Sequence, residues 1–325
     1  MPRLVFVYAG DPNNEVRQSP YSITRNLYAF FKSKGLDIVY KNWTDGGNDF
    51  KVDKNDIVIG HPHYDESTII QHIFRSGQKC KAKILIHPLH LNFVGDNWPF
   101  NDLWLNCDDG LAITGKYWYD KLPETQFAPW AKRMTRLDMA VDPNTYKWYK
   151  KDIGFRIQGT RELLYMGSDT VNKNLWFMTE IMRAMPTVKL NWYGGSSDHS
   201  LAKLPNVKTV GWQEFNDKLL QNICGESDIF LTVGTSDANP TTLLEACSMG
   251  LVAACTKESG YYNDPLVSTI PLDDTPGAVE VLTKLLMLPI EEMQKKSAYN
   301  RDQVLKNYTW TNFCNTVWGV VSKHL

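Results

Sequence analysis

The stretch SDIFLTVGTSDANPTTLLEACSMG, residues 227–250, contains an apolar run, a polar loop and the start of a second apolar pattern. The apolar run at residues 228–233 predicts a buried strand, because its β-branched and aromatic residues end at turn-forming Gly234. The apolar spacing after Pro240 predicts a helix whose first turn holds Thr241 and Thr242. A strand, a loop and a helix in this order form the repeating unit of a parallel α/β sheet.

The same unit repeats along the chain and predicts an α/β protein with two similar halves. In the first half, strands are expected at residues 4–8, 37–40, 56–59, 83–86 and 110–113 and near Phe127. In the second half they are expected at residues 162–166, 188–193, 207–210, 228–233, 251–255 and 269–272. A helix over residues 21–34 ends before Gly35, and a helix over residues 311–324 closes the chain.

Composition excludes several classes of protein. The formal charge of −1 argues against a general nucleic-acid binder. No run of about 18 apolar residues predicts a membrane span, and the opening apolar run is too short for a signal peptide. The six cysteines are scattered without zinc or redox spacing, so we expect free thiols in the cytoplasm. The Gly-x-Gly-x-x-Gly, Walker A and Gly-x-Ser-x-Gly motifs are all missing from the sequence.

The loop after the strand at residues 228–233 carries the residues best suited to chemistry. Backbone N–H groups and the helix dipole at Thr241 and Thr242 suit a diphosphate, and Asn239 adds a polar group. The carboxylates of Asp237 and Glu245 suit sugar or ribose hydroxyls, so the loop can hold a sugar diphosphate. The alternative is an ordinary strand-to-helix turn with a Ser/Thr or Asx cap.

Four ordered segments of the second half resemble one known family. They are Tyr165-Met-Gly-Ser168 with Lys173, Trp192-Tyr-Gly-Gly195, Asn206-Val-Lys-Thr-Val-Gly-Trp212, and Asp237 followed by Glu245-Ala-Cys-Ser-Met-Gly250. They resemble the donor-binding domain of GT-B glycosyltransferases, most closely retaining family 4. This chain departs from the family pattern at Ser168, where Arg is usual, at Asp237, where Glu is usual, and at Ala238-Asn-Pro240, where Gly-Phe-Gly is usual.

The resemblance implies a GT-B architecture, in which two Rossmann-like domains face a central cleft. Pro, Asn, Gly and Lys residues at 142–159 suggest the linker, so the domains are expected at residues 1–152 and 153–310. The segment Asp138-Met-Ala-Val-Asp142 resembles the family's domain boundary. The closing Tyr308-Thr-Trp310 segment resembles the one whose helix, here about residues 311–325, packs back on the first domain.

The resemblance also implies a role for each donor-side residue. Lys173 binds the donor diphosphate with Thr241 and Thr242, Asp237 holds the transferred sugar, and Glu245 accepts from the ribose. The other donor-side positions are Gly167, Ser168, Gly194, Asn239 and Trp212, the last near the base. Each role has an alternative. Lys173 could be a solvated surface lysine and Trp212 a core or lid residue, and Gly167 and Gly194 could simply form tight turns.

The first half resembles the family less closely. The strand ending at His87 resembles one whose histidine lies beside the reacting sugar, with His90 as a rival and a core histidine as the alternative. The residues Tyr21, Ser22 and Arg25 are expected on the acceptor side, and Arg25 also near the phosphate charge. A second pair, His61 and His63, has no third metal ligand at suitable spacing and is interpreted as lining or structural.

The function implied is transfer of a sugar from a UDP- or GDP-sugar to a hydroxyl of a glycan or lipid-linked saccharide. Retention, no metal, no cofactor and a cytoplasmic location are expected, and peripheral docking on a membrane stays open. The alternatives are an inverting or DNA-base-modifying GT-B transferase, a phosphorylase or epimerase on the same fold, and a non-catalytic nucleotide-sugar-binding module.

Overall fold

A computed structural model gives the structure of residues 2–14, 19–47, 49–62, 68–89, 101–125, 127–261 and 265–325. The chain divides into two compact units, each built around one six-stranded parallel sheet. The first unit comprises Met1–Thr114, Tyr119–Asp138 and Trp310–Leu325. The second comprises Gly115–Trp118 and Met139–Thr309.

The first sheet has the strand order β2-β1-β3-β4-β5-β6. Its strands are β1 (Arg3–Tyr8), β2 (Asp37–Asn42), β3 (Ile57–Gly60), β4 (Ala82–Pro88), β5 (Asp109–Ile113) and β6 (Met134–Leu137). The helices of this part of the chain are α1 (Ser19–Ser33), α2 (Ile69–Arg75), α3 (Asn101–Leu105) and α4 (Lys116–Lys121). The first three residues of α4 belong to the second unit and the last three to the first. Buried apolar strand residues and the fully enclosed Trp104 form its core, as a sheet covered on both faces requires.

The second sheet has the order β12-β11-β10-β7-β8-β9, which is the strand order of the Rossmann fold. Its strands are β7 (Leu163–Met166), β8 (Leu190–Tyr193), β9 (Val207–Val210), β10 (Ile229–Thr232), β11 (Val252–Thr256) and β12 (Val267–Ile270). The helices are α5 (Tyr149–Ile153), α6 (Leu175–Ala184), α7 (Asp217–Glu226), α8 (Thr241–Met249), α9 (Thr275–Leu286) and α10 (Ile290–Asn307). The last helix, α11 (Trp310–Val321), lies within the first unit.

The α/β class is confirmed, and eleven of the twelve predicted strands are confirmed to within two residues at each end. The prediction near Phe127 is wrong: Phe127 lies in a turn with its side chain buried, and the sixth strand is β6. An apolar residue that fills a core from a turn gives the same local signal as a short buried strand. Helix α1 ends at Ser33, one residue before the predicted end, and Gly35 adopts φ +71°, which favours glycine after a helix.

The units divide between Asp138 and Met139, earlier than the boundary expected near residue 152. The segment expected to be a linker contains α5, whose Lys150 is buried and donates to the buried Asp228 at 2.8 Å. This ion pair lies within the second unit, so the segment belongs to that unit rather than between the two. Within the described residues, no helix is both long enough and apolar enough to cross a bilayer.

We expect Lys150→Met to lower the free energy of unfolding by about 3–5 kcal/mol, because it leaves the Asp228 charge buried without its cation. Denaturant unfolding measures the effect. Lys147→Met is the matched control, since Lys147 pairs with Asp217 at the exposed surface and should change stability little. Lys150→Met combined with Asp228→Asn should recover part of the loss. Equal effects of Lys150→Met and Lys147→Met would contradict the buried pair's importance.

Candidate functional site

The candidate site lies where the strand order of the second sheet reverses. Strands β7 and β10 are neighbours. The strand that follows β7 along the chain, β8, and the strand that follows β10, β11, lie in opposite directions along the sheet. The loop after β10 is joined to the one after β7 by a hydrogen bond from the Thr235 N–H to the Asn172 carbonyl, 3.0 Å long. In open α/β sheets, the crevice at such a reversal, outside the carboxyl ends of the strands, is where ligands bind.

The side chains of Lys173 and Asp237 meet across these two loops. The lysine ammonium donates to an Asp237 carboxylate oxygen, and the side chains are 22% and 13% exposed. The resemblance implied one residue for the phosphates and one for the sugar. The structure brings the two together as an ion pair.

The start of α8 offers backbone hydrogen-bond donors. Pro240 occupies the N-cap and supplies no side-chain cap, and Thr241 and Thr242 are half-buried. Their backbone N–H groups belong to the first turn, where no carbonyl within the helix accepts from them, and they lie at the positive end of the helix dipole. Asn239 is buried, and its side-chain oxygen accepts from the Tyr261 hydroxyl at 2.7 Å, so it holds the loop in shape.

Glu245 lies one turn further along α8. Burial raises the pKa of its carboxyl to about 7, against a smaller opposite effect of the hydrogen bond from Tyr146. A carboxyl with a pKa near neutrality in a candidate site is ready to accept hydrogen bonds from a ligand that stabilises its charged form.

The loop glycines serve packing inside the unit. A Cβ on Gly167 would lie 2.7 Å from the Tyr165 hydroxyl, and one on Gly194, whose φ is +91°, would lie 3.1 Å from the Gly167 carbonyl oxygen. Tyr165 in turn donates to the carbonyl of Ser168 at 3.0 Å, and the Ser168 hydroxyl lies 3.3 Å from that of Thr170. The tight-turn interpretation of these glycines therefore has direct structural support.

Aromatic side chains are exposed near the same edge of the sheet. Trp212, two residues past β9, is 71% exposed, which contradicts the core interpretation of this residue. Trp176, in the first turn of α6, is 68% exposed and lies against His199, with 5.1 Å between the ring centroids. Sequence reasoning missed Trp176, because its place in an apolar helical pattern suggests a core residue.

Sequence reasoning also missed a short segment from the first half of the chain. The indole N–H of Trp118 donates to the carbonyls of both Asp237 and Glu258, at 3.1 Å each. The Gly115 N–H donates to the Ala238 carbonyl at 2.7 Å. The segment Gly115–Trp118 therefore fixes the backbone of the Asp237 loop, although no local pattern places it there.

The first unit holds the remaining predicted residues. His87, the last residue but one of β4, is fully buried and stacks on His61, with 4.7 Å between the ring centroids. His63 and His90 lie outside the described residues. The structure therefore places His87 in the arrangement of a core histidine, and its catalytic role stays a prediction.

The three acceptor-side residues lie on α1. Ser22 is buried, the ring of Tyr21 packs closely against Gly10, and Arg25 donates to the Asn14 carbonyl at 3.0 Å. In the described part of the chain, no group of three or more His, Cys, Asp or Glu side chains could hold a metal ion. The expectation that no metal is needed stays a prediction.

Comparison with known proteins finds similarity in structure but not in sequence. No family model and no curated protein sequence matches the chain. The sucrose-phosphate synthase of Thermosynechococcus elongatus is similar with a TM-score of 0.72 and 11% identity, covering 99% of both chains. A glycosyltransferase from Rickettsia africae is similar with a TM-score of 0.67 and 10% sequence identity. The similarity covers 99% of this chain and 98% of the Rickettsia chain. An α-glucosyltransferase in complex with UDP-glucose and DNA is similar with a TM-score of 0.61 and 11% sequence identity, and the similarity covers 99% of both chains.

These likenesses extend over the whole chain and show the fold. The GT-B assignment and the predicted resemblance to glycosyltransferases are confirmed, whereas retaining family 4 in particular stays a prediction. Three similar structures of an α-glucosyltransferase contain DNA, so the expected exclusion of nucleic acid has no support from the comparison.

We expect the Glu245 carboxyl to make stability depend on pH. Because its pKa in the folded protein, about 7, lies above the ordinary 4.5, the folded state binds this proton more tightly than the unfolded state. The free energy of unfolding should then fall as the pH rises through that interval. Urea unfolding at about pH 5 and about pH 8 measures the change, and Glu245→Gln should remove this part of it. Equal pH dependence in the two proteins would refute the raised pKa.

Proposed function

We propose that this protein is a glycosyltransferase that moves a sugar from a UDP- or GDP-sugar to a hydroxyl acceptor. The observation that carries the proposal is the meeting of Lys173, Asp237 and the start of α8 at the strand-order reversal of a Rossmann sheet. The confirmed GT-B fold supports it. The proposal includes a glycan or lipid-linked saccharide as acceptor, retention at the anomeric carbon and a cytoplasmic location.

The chemistry requires that charge on the departing nucleoside diphosphate be stabilised. In the proposal, the Lys173 ammonium and the N–H groups of Thr241 and Thr242 bind the phosphate oxygens without a metal. Asp237 turns from Lys173 to a hydroxyl of the transferred sugar, and Glu245 accepts from the ribose. Departure and attack occur on one face of the sugar, and a donor phosphate oxygen takes the acceptor proton.

The acceptor is proposed to bind near Tyr21, Ser22 and Arg25. His87 is proposed to contact a hydroxyl of the sugar, which requires a movement that exposes its fully buried ring. Trp212, with most of its surface exposed, is proposed to lie against the nucleobase.

A hydroxyl on a modified DNA base is a second candidate acceptor. It is favoured by the similar α-glucosyltransferase bound to UDP-glucose and DNA. The formal charge of −1 does not favour it, because binding to duplex DNA depends on neutralising phosphates with basic side chains.

The first test is a thermal-shift panel of UDP, GDP, ADP and their sugar derivatives, with and without EDTA. A ligand present at about 100 times its Kd should stabilise the protein by about 2.7 kcal/mol. We expect one nucleoside diphosphate to stabilise selectively, with no effect of EDTA, and the effect to be lost in Lys173→Met and reduced in Glu245→Ala. Lys189→Met is the matched control, because Lys189 is an exposed lysine just before β8, at the amino-terminal ends of the strands and away from the candidate site. No shift with any nucleotide would refute the proposal in favour of a scaffold without a donor site.

A second prediction separates the two partners of the ion pair. Asp237→Ala should lower turnover with any accepted sugar nucleotide, because it removes the proposed sugar contact. The same change should leave the affinity for free nucleoside diphosphate unchanged or higher, since Lys173 loses the carboxylate that competes with phosphate. Steady-state kinetics and calorimetry measure the two effects. A large loss of diphosphate affinity in Asp237→Ala would show that the carboxylate instead holds Lys173 in position for binding.

A further inference from the structure

A second acidic residue, Glu258, is joined to Asp237 through the backbone. Glu258 is in the short turn Lys257–Ser259 directly after β11, the strand next to β10. The Asp237 N–H donates to the Glu258 carbonyl at 3.1 Å, and the Trp118 indole N–H donates to the carbonyls of both residues. These three hydrogen bonds fix the backbones of the two acidic residues relative to each other.

The described residues leave the Glu258 carboxylate poorly satisfied. The residue is 9% exposed, and among the described residues its enclosed Oε2 atom has no hydrogen-bond partner. The other oxygen, Oε1, has only a long hydrogen bond of 3.4 Å from the Tyr117 hydroxyl and lies 3.8 Å from the Lys257 ammonium. A buried carboxylate oxygen without a partner is costly, and such groups concentrate at functional sites.

The neighbouring loop has a second unsatisfied group. The hydroxyl of Ser236, the residue before Asp237, is fully buried and has no hydrogen-bond partner within the part of the chain that the structure describes. Two unsatisfied polar atoms on the adjoining loops after β10 and β11 indicate a place that a polar ligand completes.

We infer that Glu258 accepts a hydrogen bond from a hydroxyl of the transferred sugar and so helps to select that sugar. The inference rests on the proposed function and adds a residue to its sugar subsite. A carboxylate repels phosphate, and the described residues offer no group of three ligands for a cation, so a neutral hydroxyl is the group that fits. Asp237 and Glu258 would then hold different hydroxyls of one ring.

The test compares Glu258→Met with the wild-type protein by calorimetry, using UDP with UDP-glucose and GDP with GDP-mannose. Methionine keeps the length of the side chain but cannot accept the hydrogen bond at full strength. We expect the sugar nucleotide that the wild type binds to lose affinity by about 10- to 100-fold, as for a hydrogen bond to a charged group. The affinity for the matching free nucleoside diphosphate should stay within about twofold.

The matched control is Glu162→Met. Glu162 is a partly buried carboxylate at the opposite end of β7 and accepts from Asn191 at 3.0 Å. We expect it to lower thermal stability without changing the preference for sugar nucleotide over diphosphate. If Glu258→Met does not fold, Glu258→Gln should show a smaller loss in the same direction.

Two results would overturn the inference while leaving the proposed function intact. Equal weakening of sugar nucleotide and free diphosphate would mean that Glu258 only supports the phosphate-binding loops. Unchanged affinity for both would mean that no sugar hydroxyl reaches it. A wild-type protein that binds none of the four probes would instead overturn the proposed function, and the sugar subsite with it.

Discussion

The parallel pairing of β7 with β10 is the constraint on which the candidate site depends. These strands are separated along the chain by two complete strand-helix units, yet they are neighbours in the sheet. Because the connections from the two strands run to opposite sides, their first loops lie together at the carboxyl edge. The Thr235 to Asn172 hydrogen bond and the Lys173–Asp237 ion pair both follow from this adjacency.

The parts of this arrangement that local sequence determines could be predicted. Apolar runs ended by Gly, Pro or Asp locate the strands of a parallel sheet, since such strands are buried on both faces. The order of the segments around Gly167, Lys173, Gly194 and Asp237 adds the resemblance to the donor-binding domain. The one wrong strand, near Phe127, has a physical cause. An apolar pattern indicates buried side chains, and side chains of turn residues can be buried as well.

The parts that depend on contacts between distant residues could not be predicted. Trp118 reaches Asp237 across 119 positions and Glu258 across 140, and nothing in the sequence near Trp118 indicates either contact. The partner of Lys173 was also hidden, because spacing alone suggests separate ligands for the lysine and the carboxylate. His87 gives the opposite case: its place at a strand end suggests an active-site residue, and only the stacked ring of His61 shows how enclosed it is.

The charge balance of the site has a consequence for how a donor could bind. A diphosphate brings negative charge to a lysine that Asp237 already neutralises, so the ion pair by itself offers no net attraction. The backbone N–H groups at the start of α8 receive no side-chain cap from Pro240, which occupies the N-cap position. Within the proposed function, the start of α8 attracts phosphate without a competing anion, whereas Lys173 binds phosphate in competition with Asp237. A sugar hydroxyl that takes the place of Lys173 at Asp237 would remove this competition, so a complete sugar nucleotide should bind more tightly than the free nucleoside diphosphate.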